Sequence, residues 1–253
     1  MTHCLARTRT CLACLMLMPI VLTTSVRGEQ SQQPPSRLLT VEVVQGQVHV
    51  IEQDKPVLVY QCITKSKDGK HPRANYVHPL FDLDGNVLTE DFPDDHRHHR
   101  GIFWAWHQVL IGDRPMGDQW ICRDFAWDVR SVRTRSNRDG SIDLLSDVDW
   151  TSPRWADEHN RAQPLLRERN EIRIFPATDS FRVIDFRIRL TALVPNLHIG
   201  GSDDAKGYGG FSARIRLTKD TKFRDSNGSV EPEKLAVQAG PWMDFSTDSG
   251  GVA

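Results

Sequence analysis

Within seven residues, Asp94-Asp95-His96-Arg97-His98-His99-Arg100, the chain sets three imidazoles beside two carboxylates and two guanidiniums. Imidazole titrates near neutrality, a neighbouring carboxylate can orient it, and arginine is a fixed cation with a planar donor fork. If residues 96–100 are extended, His96 and His98 share a face and His99 points away. If they turn, all three converge. His71 and His78 precede the cluster and His107 follows it.

Three chemistries fit. The histidines can satisfy backbone groups of a wide loop. They can bind a divalent metal, with two ligands from His-x-His and a third from His78 or a carboxylate. Or they can work without metal, His78, His98 and His99 as acid/base groups and Arg100 as a clamp on an anionic or hydroxyl-rich substrate. The sequence requires no cofactor. Paired-carboxylate glycosidase chemistry has candidates in Asp94, Asp95, Glu171 and Asp185.

Directly after the cluster comes Gly101-Ile102-Phe103-Trp104-Ala105-Trp106-His107. On a strand, Ile102, Trp104 and Trp106 lie on one face, Phe103 and His107 on the other. Tryptophans beside polar groups hold sugar rings, which makes Trp104 and Trp106, with His96, candidate substrate-binding residues; filling the core is their alternative role. Trp120 and Trp127 follow. A glycine-rich stretch, Asp203 to Phe211, adds Lys206 and Tyr208 as substrate-binding candidates, with strand-entry loop as the alternative. It has neither a Walker loop's Gly-Lys-Ser/Thr ending nor the strand–helix setting of a dinucleotide fingerprint.

The elements that must position these groups read as strands. Val41 and Val43, then Val48 and Val50, flank a Gln45-Gly46 turn; Val57 to Tyr60 is a compact run; Leu80 to Leu88 reads as a hairpin around Asp84-Gly85-Asn86. The glycine in that segment falls too early for an EF-hand loop. Alternation is clearest in Phe181 to Leu190, and repeats in Glu171 to Ile174 and Phe211 to Thr218. Ile142 to Trp150 reads as another strand. Ser152 to Pro164 reads as a loop or a short helical turn. No stretch after residue 36 keeps helical periodicity for three turns, so the expectation is all-β: one antiparallel β-sandwich over residues 39–253.

The first residues read differently. Arg7 and Arg9 precede an apolar run from Cys11 to Leu22, too short to span a bilayer but of h-region length, with small residues before Glu29. The expectation is a signal peptide over 1–28, a flexible tether over 29–38, and a secreted or periplasmic protein with no membrane attachment after cleavage. Cleavage would remove three arginines and no carboxylate, leaving 29 basic against 33 acidic side chains, which disfavours a nucleic-acid partner. Cys62 and Cys122 would remain, read as free rather than bridged.

Tyr76-Val77-His78-Pro79-Leu80, Asp84-Gly85, Asp95 to Gly101, Trp104, Trp106, Arg182 to Asp185 and Lys206 to Phe211 together resemble the bacterial PmoA-like family, over residues 40–245. The resemblance implies a β-sandwich of the galactose-mutarotase type. Its name implies a methane oxygenase, at odds with a mature chain that has no apolar spanning run. It also implies further strands after Pro241 to Phe245, so the domain is expected to lack its last strands. The expectation for function is a secreted carbohydrate-active protein, a His-dependent epimerase, lyase or hydrolase acting on a glycan or small sugar derivative. The alternatives are a non-catalytic carbohydrate-binding or envelope module, and third a metal-dependent oxygenase.

Overall fold

A computed structural model describes residues 38–233 and 239–247. The expected signal peptide and nearly all of the expected tether lie outside the described residues. The described residues contain strands, turns and bends and no helix, and they belong to one compact unit.

Two antiparallel sheets carry the architecture. The larger has six strands in the order Leu39–Val44, Gln47–Glu52, Lys55–Gln61, Tyr76–Leu80, Ile102–Trp106 and Gly209–Ala213. The other is a meander of four long strands, Ala126–Ser136, Ile142–Ala156, Ala162–Ile174 and Ile184–Ala192. Their inner faces meet: Val48, Val50, Leu58, Tyr60, Val77 and Ile102 of the first pack with Ile142, Leu144, Ile172 and Ile174 of the second. This is the sandwich expected from the alternation, since residues two apart share a face and one face of each sheet is apolar.

Three details differ from the sequence reading. Residues 152–164 are not a loop. The strands run on to Ala156 and restart at Ala162, and the side chain of Asp157 closes the turn by accepting the His159 and Arg161 amides. The strand read from Phe181 begins at Ile184, and the strand read through Thr218 ends at Ala213, with Phe211 and Leu217 exposed. The Asp84-Gly85 turn holds, anchored on Asp82, whose carboxylate accepts the Asp84 and Asn86 amides.

The sheets are also joined by polar groups. Glu168 is fully buried between them and accepts the Trp104 indole N–H at 2.7 Å, the Trp150 indole N–H at 2.6 Å and the Asn75 amide at 2.7 Å. Asn75 in turn accepts from the Tyr60 hydroxyl and from Asn170. Burial pushes the Glu168 carboxyl up from its ordinary value, against the pull of these donors. Trp104 is therefore committed to the core: it is 1% exposed.

Glu168→Ala would leave three buried donors without an acceptor, each costing roughly 1–3 kcal/mol. Denaturant unfolding is expected to show a loss of about 3 kcal/mol or more, and a loss below about 1 kcal/mol would contradict this role.

Candidate functional site

The site lies on the outer face of the six-stranded sheet. Along Ile102–Trp106 the even residues Ile102 and Trp104 enter the sandwich, while Phe103 and Ala105 point outward and pack with Tyr76 and Trp120. Two loops and the 118–123 turn rise from this outer layer around a cleft of about 670 Å³, a size that suits a small organic ligand.

The first loop carries the histidines, and it turns. The His96 amide donates to the Pro93 carbonyl at 3.1 Å, the His99 amide to the His96 carbonyl at 2.8 Å, and the Phe92 amide to the His99 carbonyl at 3.3 Å. The three rings converge: His96 stacks on His99 at 4.9 Å between centroids, and His98 meets His99 edge-on at 4.6 Å. His71 approaches His98 at 6.1 Å. Burial, followed by the neighbouring histidines, lowers His98 to about 4; burial, His98 and His96 lower His99 to about 3. Both are neutral at neutral pH. His96 and Asp95 are joined at 2.9 Å, and both Asp95 oxygens accept from Arg214 Nη2 at 2.8 Å, while Arg214 Nε donates to Glu90 at 2.8 Å. These partners, His96 first, hold the Asp95 carboxyl down at about 2.

Arg100 departs from its expected role. Its side chain is fully buried beneath the loop, ion-paired to Asp91, hydrogen-bonded to the Tyr76 hydroxyl and to the Lys65 and His71 carbonyls, and stacked on the Phe92 ring at 3.6 Å. It clamps the chain and no substrate reaches it. Gly101 follows with φ +53°, and a Cβ there would stand 2.1 Å from the Val77 carbonyl oxygen, so only glycine lets the loop meet the sheet.

The second loop, residues 201–209, is held on Asp204, which accepts from the Ser202 hydroxyl and the Lys206 and Gly207 amides, while Tyr208 donates its amide to Ser202. It delivers Lys206 and Tyr208 to the cleft, the ammonium 5.5 Å from the tyrosine ring centre. Tyr208 stacks on Trp120 at 5.6 Å; His107 stacks on the same indole at 5.5 Å, and His99 meets it edge-on at 5.6 Å.

Of the residues singled out from sequence, His96, His98, His99, Lys206 and Tyr208 line one cleft. The other four do not. His78 is tied through Nδ1 to Thr89 at 3.0 Å and is depressed by burial. Arg100 and Trp104 are buried in their own networks. Trp106 packs toward Trp150 in the core, so the expected sugar-binding tryptophan face is the inward one.

The sequence names His107 and Trp120 without a role and does not reveal Asp118, joined to His107 Nδ1 through Oδ2 at 2.9 Å, or Arg214, which also lines the cleft. With Nδ1 engaged, His107 has Nε2 left for a ligand. The alternation had already put Phe103 and His107 on the face opposite the tryptophans; Asp118, eleven residues on, has no local motif to mark it. Among the described residues no three His, Cys, Asp or Glu side chains are grouped to hold a metal ion. Cys62 and Cys122 are both free.

The class is thus an all-β sandwich whose outer sheet face bears a cleft of neutral histidines, an oriented His–Asp pair and stacked aromatics. Residues 47–253 match the model of a family of unknown function (DUF6807), and the chain belongs to that family. Comparison with curated proteins and with solved structures finds no match.

The depression of His98 and of His99 makes a pH prediction. Each has a folded-state value below its ordinary 6.5, so the unfolded chain binds more protons between those values. Stability they contribute is present above about pH 6.5 and is lost as pH falls toward about 4 and 3. The melting temperature of the wild type is expected to fall over that window more steeply than that of His98→Asn/His99→Asn; parallel curves would contradict the assignment.

Proposed function

We propose that the protein is carbohydrate-active and that it binds a sugar or sugar derivative in this cleft and transforms it by histidine acid/base chemistry. The observation that carries the reading is the convergence of His98 and His99, held uncharged, on a cleft walled by Tyr208 over Trp120. A sugar ring has an apolar face suited to an aromatic ring and hydroxyls suited to directed hydrogen bonds. Imidazole can carry a proton to or from a bound substrate, and His107, oriented by Asp118, adds a third ring beside His98 and His99. Lys206 and the Tyr208 hydroxyl supply donors on the opposite loop.

Epimerisation, elimination and hydrolysis all begin or end with such proton transfers. The reading places the protein outside the cytoplasm, supported by the basic and then apolar start of the sequence. No described helix is long and apolar enough to cross a membrane. The oxygenase activity carried by the PmoA-like resemblance draws no support from the described residues, which offer no three-ligand group.

Turnover is expected on at least one member of a panel of oligosaccharides and sugar acids. His98→Gln and His99→Gln should each reduce kcat by about 100-fold or more while binding persists, in keeping with the usual contribution of general acid/base groups. Tyr208→Ala should instead weaken binding by about tenfold, the scale of one aromatic contact. Sugar binding that depends on Tyr208, with no turnover on any member, would replace the enzyme reading with that of a binding module.

A further inference from the structure

The outer face of the four-stranded sheet is a second, independent feature. Over residues 143–149 and 167–173 of its two central strands the odd-numbered residues point outward, and the aspartates of Ile142–Ala156 each sit between arginines of the flanking strands. Asp143 lies between Arg135 and Arg173, at 2.5 and 2.6 Å, and Asp149 between Arg130 and Arg167, at 3.1 and 2.9 Å. In these rows the carboxylates are covered and the pairs are complete.

The row around Asp147 differs. Asp147 bonds Arg133 and Arg169, both at 3.1 Å, but the neighbouring strand adds Arg187 and Arg189. Arg187 reaches Glu171 at 3.6 Å. Arg189 has no carboxylate partner among the described residues, and in the strand register it stands directly opposite Arg169. Like charges in that position destabilise a sheet unless something lies between them. Here a groove of about 480 Å³ opens beside them, lined by all four arginines against two acids. Arg187 and Arg169 are 73% and 65% exposed, so their forks are free on the solvent side.

We propose that this groove is a binding site for an anionic polysaccharide, one carrying carboxylate or sulfate groups along its length. Guanidinium forks match the planar or tetrahedral oxygens of both groups and hold them bidentately. Anions seated between Arg169 and Arg189 would turn a repulsive cross-strand pair into a bridged one. A polymer is favoured over a single ion because the excess charge is spread over three strands instead of gathered in an enclosed pocket. The site lies on the sheet opposite the histidine cleft, so it does not depend on the reading given above.

The test is Arg187→Gln/Arg189→Gln, compared with wild type by calorimetric titration at physiological salt. The probes are polygalacturonate for carboxylate, dextran sulfate for sulfate, unmodified dextran and duplex DNA. Wild type is expected to bind one or both anionic glycans and not unmodified dextran, and the variant to bind them at least tenfold more weakly. The variant's melting temperature should be unchanged or raised, because the Arg169–Arg189 repulsion is removed, and its behaviour toward sugars in the histidine cleft should be unaltered. Equal binding by variant and wild type, binding of neither anionic glycan, or DNA bound as tightly as the better glycan would each overturn the proposal.

Discussion

The buried ion pair between Arg100 and Asp91 is the constraint on which the histidine loop depends. Burying a guanidinium is costly unless its donors are met, and Arg100 meets Asp91, the Tyr76 hydroxyl and two backbone carbonyls. Those partners come from four separate places in the chain. Seating one side chain therefore fixes the loop against the 65–76 region and the sheet together. The turn then throws His98 and His99 outward as Arg100 goes inward, and Gly101 lets the chain join the strand without a clash. The motif that looks like a single reactive string is divided by function: its last residue builds the support, and its histidines face the cleft.

The same division runs along the next strand. Trp104 faces in and is tied to Glu168 across the sandwich; Phe103 faces out and helps form the layer on which Trp120 rests. A strand bearing large side chains on both faces couples the core to the site. Rigid placement of the cleft's inner layer follows from packing on two sides, and the 201–209 loop adds a wall whose shape is set by its own hydrogen bonds around Asp204. Nothing in this arrangement calls for a large motion before a ligand enters.

Much of the fold was legible because it rests on period-two alternation, which the long strands show plainly. Ile184 to Leu190 and Glu171 to Ile174 fall where the pattern puts them. Ser152 to Pro164 reads as a loop because it is rich in proline and tryptophan, although a long antiparallel hairpin tolerates both near its end. The site was half legible. Clustering in sequence found His96, His98 and His99, and glycine spacing found Lys206 and Tyr208. Which face of a strand looks outward is a tertiary property, so the sequence leaves Trp104 and Trp106 between sugar binding and core filling, and the fold turns both inward. The burial of Arg100 was equally invisible, since its partners Tyr76, Asp91 and the His71 carbonyl are joined only in the folded chain. His107 and Asp118 meet for the same reason.

The tryptophan face of the strand is core, and the outer sheet face is the proposed ligand site. The most direct test is a crystal structure of the protein soaked with a sugar or sugar acid identified by turnover or binding. The expected result is a ring seated against Tyr208 with its hydroxyls or acidic carbon facing His98, His99 or the His107–Asp118 pair. A ligand bound at full occupancy elsewhere on the molecule, with this cleft filled only by water, would contradict it.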